Sequence, residues 1–311
     1  MPTLQQMRYL AALAETLHFR RAAELAHVTQ PTLSTQLREL ELRLGVQLVE
    51  RSRSRVILTP VGEEIARRAR AVLRDVEEIR AVARFARQPL HGTMKVGVVQ
   101  TLGSYLLPLI VPDLHRSHPE LGFYVREGLP EALLGRLEQG GLELLFCALP
   151  VNRADLVATP LFHEPLMLVA PEEHPLARHE VVDASALKDQ TILTLEPGHR
   201  MHDQIGDFCR DVGARISPDY EGTSLDTLRQ MVAMGMGLSL LPALYVRSEV
   251  ARERLVVARP LRAPAPARQI GMVWRKGSAR AGEFSDLAGI IRDILRTRAP
   301  EISVPEDEAA A

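Results

Sequence analysis

Apolar positions in the first part of the chain recur at helical spacing. Residues 4–17 predict an amphipathic helix with Met7, Leu10, Ala11, Leu13, Ala14 and Leu17 on its inner face. A short second helix starts near Phe19 and carries Ala22, Ala23 and Leu25. The segment His27-Val28-Thr29-Gln30-Pro31 then predicts a new helix start. Thr29 suits the N-cap region and Pro31 the first turn, where a missing N–H costs nothing. The third helix, roughly 31–43, turns Leu33, Leu37, Leu40 and Leu44 inward and leaves Thr32, Ser34, Thr35, Gln36, Arg38 and Glu39 on its other faces. Gln47–Thr59 has the pattern of a hairpin in which Arg51, Arg53 and Arg55 alternate and share one side. Thr59-Pro60-Val61-Gly62-Glu63-Glu64 opens a long helix to about Arg87, with Pro60 and the two glutamates suited to its first turn. Along it Ile65, Ala69, Val72, Val76, Ile79, Val82, Ala83 and Ala86 form a stripe longer than a compact head needs, which predicts a partner helix and a dimer; packing against the chain's own head or body is the other reading.

Beyond the hinge-like Gln88-Pro89-Leu90-His91-Gly92 the pattern changes to alternating strands and helices. Lys95–Val99, Tyr124–Glu127, Leu142–Leu149, Leu166–Ala170, Ile192–Leu195, Leu238–Leu241 and Ile270–Trp274 are strand runs, with helices through Leu106–Leu114 and Glu131–Gln139. Strand, helix, strand predicts a parallel sheet covered by helices. By analogy with two-lobed binding proteins, the stretches near 162–168 and 265–270 are expected to cross between lobes, leaving a ligand cleft between them. The expected fold is α/β with an N-terminal winged helix-turn-helix, a linker helix and a two-lobed effector domain. The expected boundaries are 1–59 for the head, 60–88 for the linker and 92–300 for the body. Within the body, lobe I takes 92–163 and 269–300 and lobe II takes 164–268, with 301–311 a disordered tail.

Composition narrows the function classes. The chain has 311 residues, ordinary globular proportions of apolar and charged residues, and two cysteines without metal-ligand spacing. The opening segment lacks the features of a secretory signal, and no apolar run is long enough for a membrane span, so a cytoplasmic protein with no membrane partner is expected. The net charge of −1 hides an asymmetry: residues 1–90 carry 15 Arg against 10 acidic residues, a balance of +5, and the remainder is at −6. A small basic head on an acidic body fits a polyanion partner for the head. Standing alone, the third helix would be a polar solvated face and the arginine alternation a solvated charge run. In succession they fit a recognition helix in the major groove and a wing along phosphates. Gln30, Pro31, Thr32, Ser34, Thr35 and Arg38 are then the groove candidates and Arg51, Arg53 and Arg55 the phosphate candidates. The chain contains no GxSxG, P-loop or HExxH, and His199 and His202 lack a third ligand with supporting spacing, so no catalytic residue, metal or cofactor is expected.

These residues resemble a family. Phe19-x-x-Ala22-Ala23, Gln30–Gln36, Leu40–Gly45 and Leu58–Gly62 are similar to the N-terminal motifs of LysR-type transcriptional regulators, in the right order. The wing departs from the family pattern: Ser54 stands where a second arginine is common, flanked by Arg53 and Arg55. The resemblance implies double-stranded DNA as partner, a homodimer or homotetramer, and RNA polymerase contact if the chain is an activator.

Most of residues 93–290 further resembles the OxyR-type peroxide regulators within that family. The carrying segments include Tyr105–Pro108, Glu164-Pro165-Leu166, Gly198-His199, Asp203-Gln204, Phe208-Cys209, Thr223–Arg229 and Gly237–Leu244. In that group the residue after the Gly-His pair is a peroxide-reactive cysteine, and a cysteine nine residues later resolves it. Here the first position is Arg200 and the second is Cys209. Arginine forms no sulfenic acid, so the two-cysteine switch is not expected. Pro130 replaces a threonine that helps hold peroxide in the group, while Thr101 matches the other. Cys209 is open to three readings: a buried apolar residue, a single-thiol sensor activated by Arg200 or His199, or a partner of Cys147, the last requiring close approach across lobes. Arg200 is either a surface loop residue or a guanidinium that, with Thr101, Thr223 and Ser224, holds a small anionic effector. The candidate effector site is therefore Thr101, His199, Arg200, Asp203, Cys209, Thr223 and Ser224. A regulator sensing oxidant, one sensing a small anionic metabolite and, from another class, a thiol-dependent redox enzyme using Cys209 are the readings carried forward.

Overall fold

The computed structural model describes residues 1–51, 56–85, 90–252 and 255–305, with side chains left out at Arg51 and at 82–85. Arg53, Arg55, Ala86, Gln88 and Pro89 lie outside the described residues, as do the side chains of Arg51, Val82 and Ala83. The chain divides into two compact units, Met1–Arg87 and Gln88–Ala311.

The first unit opens with α1 (Leu4–Thr16), α2 (Phe19–Leu25) and α3 (Gln30–Leu44). A capping box starts α1: the Thr3 hydroxyl accepts from the Gln6 N–H and the Gln6 side chain accepts from the Thr3 N–H. The inner face of α1 is rotated from the expected one. Gln6, Tyr9, Leu10, Ala12 and Leu13 are buried, whereas Leu17 ends the helix at φ 48° and is half exposed. Leu25 is exposed as well. Leu33, Leu37 and Leu40 of α3 close the core against Leu10, Leu13, Ala22 and Ala23.

The hairpin β1 (Val49–Arg51) and β2 (Val56–Leu58) follows, antiparallel with Val49 opposite Leu58. Glu41 of α3 anchors its base by accepting from the Leu48 and Val49 N–H groups at 2.9 and 3.1 Å. Next comes α4 (Pro60–Phe85), whose Ala66 and Ala69 are buried while Val72 and Ile79 are exposed. Its start is pressed against the hairpin: a Cβ on Gly62 would stand 2.1 Å from the Leu48 carbonyl oxygen, so only glycine fits. Thr59 completes the joint, accepting from the Gly62 N–H and donating to the Gln47 carbonyl.

In the second unit the elements are β3 (Gly92–Val99), α5 (Gly103–Ser117), β4 (Leu121–Gly128), α6 (Pro130–Glu138), β5 (Leu144–Leu149) and β6 (Leu156–Pro171). They continue with β7 (Thr191–Leu193), α7 (Arg200–Val212), β8 (Arg215–Ile216), α8 (Leu225–Ala233) and β9 (Leu238–Pro242). The last are α9 (Ala243–Ser248), β10 (Val256–Arg259), β11 (Ala267–Arg275) and α10 (Ala281–Arg298). The sheet order is β4-β3-β5-β11-β6-β9-β7-β8, with β10 also on β6.

This sheet is mixed, correcting the expectation of a parallel one. β3 pairs β4 and β5 in parallel, and β7 pairs β8 and β9 in parallel, but β11 runs antiparallel to both β5 and β6. Hydrophobic runs report burial on both faces, not strand direction. The long strand β6 passes from one apolar core to another. One core gathers Val96, Val98, Leu106, Phe146, Met272 and Phe284, and the other Leu168, Ile192, Ile205, Leu228, Leu240 and Tyr245. The first core extends past residue 300: Ile302 is buried in it and Ser303 bridges His163, so the start of the expected tail is part of the lobe.

Candidate functional site

The first candidate surface is the N-terminal turn of α3. Thr29 caps it, its hydroxyl accepting from the Thr32 N–H at 3.4 Å and lying 2.8 Å from the Thr32 hydroxyl. Gln30, Pro31, Thr32, Thr35 and Arg38 are exposed and Ser34 is half-buried. Pro31, Thr35 and Arg38 recur at spacings of four and three and so occupy one face. Gln36 is turned inward, accepting from the buried Gln6 amide at 3.3 Å and donating to Glu39 at 3.2 Å. Arg51, Arg53 and Arg55 remain candidates on the sequence pattern alone, since their side chains lie outside the described residues.

The second candidate is a cavity of about 390 Å³ between the two cores of the body. Its lobe II wall is the start of α7, and its lobe I wall comes from β5, α6 and the loop of Pro150–Arg153. Gly198, at φ 102°, makes the turn that sets His199 and Arg200 at the helix start, a conformation that favours glycine. Among the described residues no side chain caps α7. Arg200 is half-buried and faces this cavity; it is not a surface loop residue. Its Nη1 donates to the Pro150 carbonyl at 2.9 Å, while its Nε is buried with no hydrogen-bond partner among the described residues. His199 is 4% exposed, lines the cavity, and has a buried Nε2 with no partner among the described residues. Burial lowers its pKa, and the nearby Glu196 charge partly opposes this.

The cavity floor is a buried ion pair at the lobe crossing. Arg268 of β11 donates from Nε to Glu164 of β6 at 2.7 Å, from Nη1 to the Thr101 hydroxyl and from Nη2 to the Thr101 carbonyl, both at 2.9 Å. Glu164 also accepts from the Leu244 N–H at 2.8 Å. Two charges sealed from water are tolerable only with their bonds completed in this way. Thr101 is thus held by Arg268, with its residue at the cavity wall.

Cys147 of β5 also lines the cavity; burial pushes its thiol up to about 12, against a smaller opposing effect of the Arg200 charge. Cys209 lies in the lobe II core, 2% exposed, and burial pushes its thiol up to about 11. Both cysteines are free. Cys209 lies nine positions along the intact helix from Arg200, an axial distance of about 13 Å. A thiol so buried matches the apolar reading and opposes an activated thiolate.

Not all candidates converge. Asp203 and Gln204 line the cavity with His199 and Arg200, but Thr223 and Ser224 do not. Ser224 instead caps α8, accepting from the Thr227 N–H at 3.4 Å, and Thr223 is exposed. His202 is committed to the Leu195 carbonyl at 2.7 Å, and no metal-holding group of His, Cys, Asp or Glu occurs among the described residues. Asn152, Arg153 and Arg268 line the cavity and were not singled out. The signal for Arg268 was a lone cation entering an apolar strand opposite Glu164.

A helix-turn-helix head on a two-lobed binding body defines a transcriptional regulator, and the chain belongs to the LysR family. It matches the bacterial regulatory helix-turn-helix protein, lysR family, over residues 4–63 and the LysR substrate binding domain over residues 87–296. Within the family it is OxyR-like. It is 42% identical over 289 residues to the DNA-binding transcriptional dual regulator OxyR of Escherichia coli K12, covering 93% of this chain and 94% of that one. It is 38% identical over 296 residues to the probable hydrogen peroxide-inducible genes activator of Streptomyces viridosporus, covering 95% of each. Among solved structures, full-length OxyR of Pseudomonas aeruginosa with a cysteine-to-aspartate substitution matches with a TM-score of 0.77 and 37% identity, over 96% of this chain and 95% of that one.

Proposed function

We propose that this LysR-type regulator grips double-stranded DNA with the α3 turn in the major groove and the wing arginines on phosphates, as a cytoplasmic homodimer or homotetramer joined through α4. The exposed Val72 and Ile79 support a partner for that helix. RNA polymerase is a further partner if the output is activation. The body reads its signal in the inter-lobe cavity without a two-cysteine disulfide. The observation carrying this reading is the guanidinium of Arg200 at the start of α7 in that cavity, with Cys209 buried behind it. No disulfide can form at a position that holds no sulfur.

The test is a footprint of the full chain on its own upstream region, with and without peroxide, in wild type and Cys209→Ser. The expected result is one footprint in all four conditions. A peroxide-dependent change that disappears in Cys209→Ser would overturn the reading and establish a single-thiol switch.

A further inference from the structure

We infer that Gln6, a wholly buried residue of α1, is a positioning residue for base recognition: through Gln36 it sets the roll of α3, and so the aim of the side chains on its outer face. This rests on the reading of α3 as the groove helix.

A chain of side-chain links joins the N-terminal segment to the flank of α3. The Thr3 N–H donates to Gln6 Oε1 at 3.1 Å, Gln6 Nε2 donates to Gln36 Oε1 at 3.3 Å, and Gln36 Nε2 donates to Glu39 Oε2 at 3.2 Å. Glu39 lies 3.8 Å from Arg43, whose Nη1 donates to the Met1 carbonyl at 3.1 Å. The circuit thus closes on the segment where it began. Its polarity is fixed from both ends. A backbone N–H only donates, so Gln6 meets Thr3 with its oxygen and Gln36 with its nitrogen. An ionised carboxylate only accepts, so Gln36 meets Glu39 with its nitrogen and Gln6 with its oxygen. Two amides that can each be turned either way are left with one arrangement.

What this constrains is rotation. Leu33, Leu37 and Leu40 hold α3 against the head by apolar contact, which has no direction and fixes the roll of a helix loosely. Hydrogen bonds are directional. Gln36 is half-buried and follows the exposed Thr35, and Glu39 follows the exposed Arg38. The helix is rigid from one residue to the next, so a roll that breaks the Gln36 and Glu39 links carries Thr35 and Arg38 with it. Attraction to phosphates tolerates such a shift, whereas hydrogen bonds to base edges do not. The effect of Gln6 therefore falls on discrimination between sequences, not on attraction to DNA.

The experiment measures binding of the full chain by fluorescence anisotropy, at one salt concentration, to a duplex carrying its footprinted site and to a scrambled duplex of equal length. The ratio of the two affinities is the readout. Gln6→Met keeps the length of the side chain and removes its hydrogen bonds. It is expected to lower the ratio roughly tenfold and leave the scrambled duplex bound as before. Gln36→Met is expected to do the same, and the double variant to be no worse than either single one, because both cut one circuit. Gln6→Glu reverses the polarity and is expected to lower the ratio. Gln6→Glu combined with Glu39→Gln is expected to restore it, since Gln36 then turns its amide round and is served at both ends. If Gln6→Met does not fold, Gln36→Met, at a half-buried position, carries the test. Equal loss of affinity for both duplexes would show a merely structural role and overturn the inference, as would additive losses. A wild-type chain with no preference for its site removes the reading of α3 as well, whereas a preference that survives in Gln6→Met overturns the inference alone.

Discussion

Two helices of this protein begin in opposite ways. The start of α3 is closed: the Thr29 hydroxyl serves the Thr32 amide, and the residues beyond are polar and exposed. The start of α7 is open: among the described residues no side chain caps it, and Arg200 Nε and His199 Nε2 are buried without a partner. A capped, solvated helix end is stable without a ligand and can meet many sequences of a long polyanion. An uncapped end with buried, unpartnered polar atoms carries a cost that the surrounding fold must offset. The difference separates a polar surface open to solvent from polar atoms sealed away from it.

The comparison breaks most visibly if the cavity floor is removed. Arg268→Ala leaves Glu164 charged and sealed from water, and is expected to cost about 3–5 kcal/mol in the body, measured by urea unfolding. The helix-turn-helix unit, whose core shares no residue with that pair, should keep its own unfolding transition. A smaller change strikes the closed end. Thr29→Ala removes the cap of α3 and is expected to cost about 1 kcal/mol of head stability, seen as a lower melting temperature with weakened DNA binding. The smallest effect sharpens the contrast between Arg200 and the thiols. Raised values of about 11 for Cys209 and about 12 for Cys147 mean that the folded chain holds these protons more tightly than the unfolded one. Stability from the protonated thiols is therefore full below about pH 9 and declines as pH rises through those values. At pH 8 native iodoacetamide labelling should be very slow, since burial keeps both thiols protonated, and should speed up only on unfolding. Rapid native labelling at pH 8 would contradict the buried state of either thiol.

Much of the fold was legible because local rules and burial agreed. Thr29 and Pro31 announced the start of α3, and Leu33, Leu37 and Leu40 its inner face. The face of α1 was misjudged where a polar side chain does structural work: Gln6 is buried because it closes the capping box and reaches Gln36. Strand direction in the body was not legible, since β5 is equally buried beside a parallel and an antiparallel neighbour. Of the cavity, the α7 residues were legible as one continuous segment. Arg268, Arg153 and Asn152 were not, because a strand and a loop distant in sequence from α7 bring them to it. Thr223 and Ser224 look available in sequence, yet Ser224 is spent on starting α8.

The missing side chain at Gly62 has a mechanical consequence. With α4 resting directly on the Leu48 carbonyl, and Thr59 and Glu41 pinning the same few residues, hairpin and linker helix turn as one rigid lever. A twist applied along α4 is therefore carried to the base of the hairpin, so whatever rotates the helix also sets the direction in which the hairpin leaves the head.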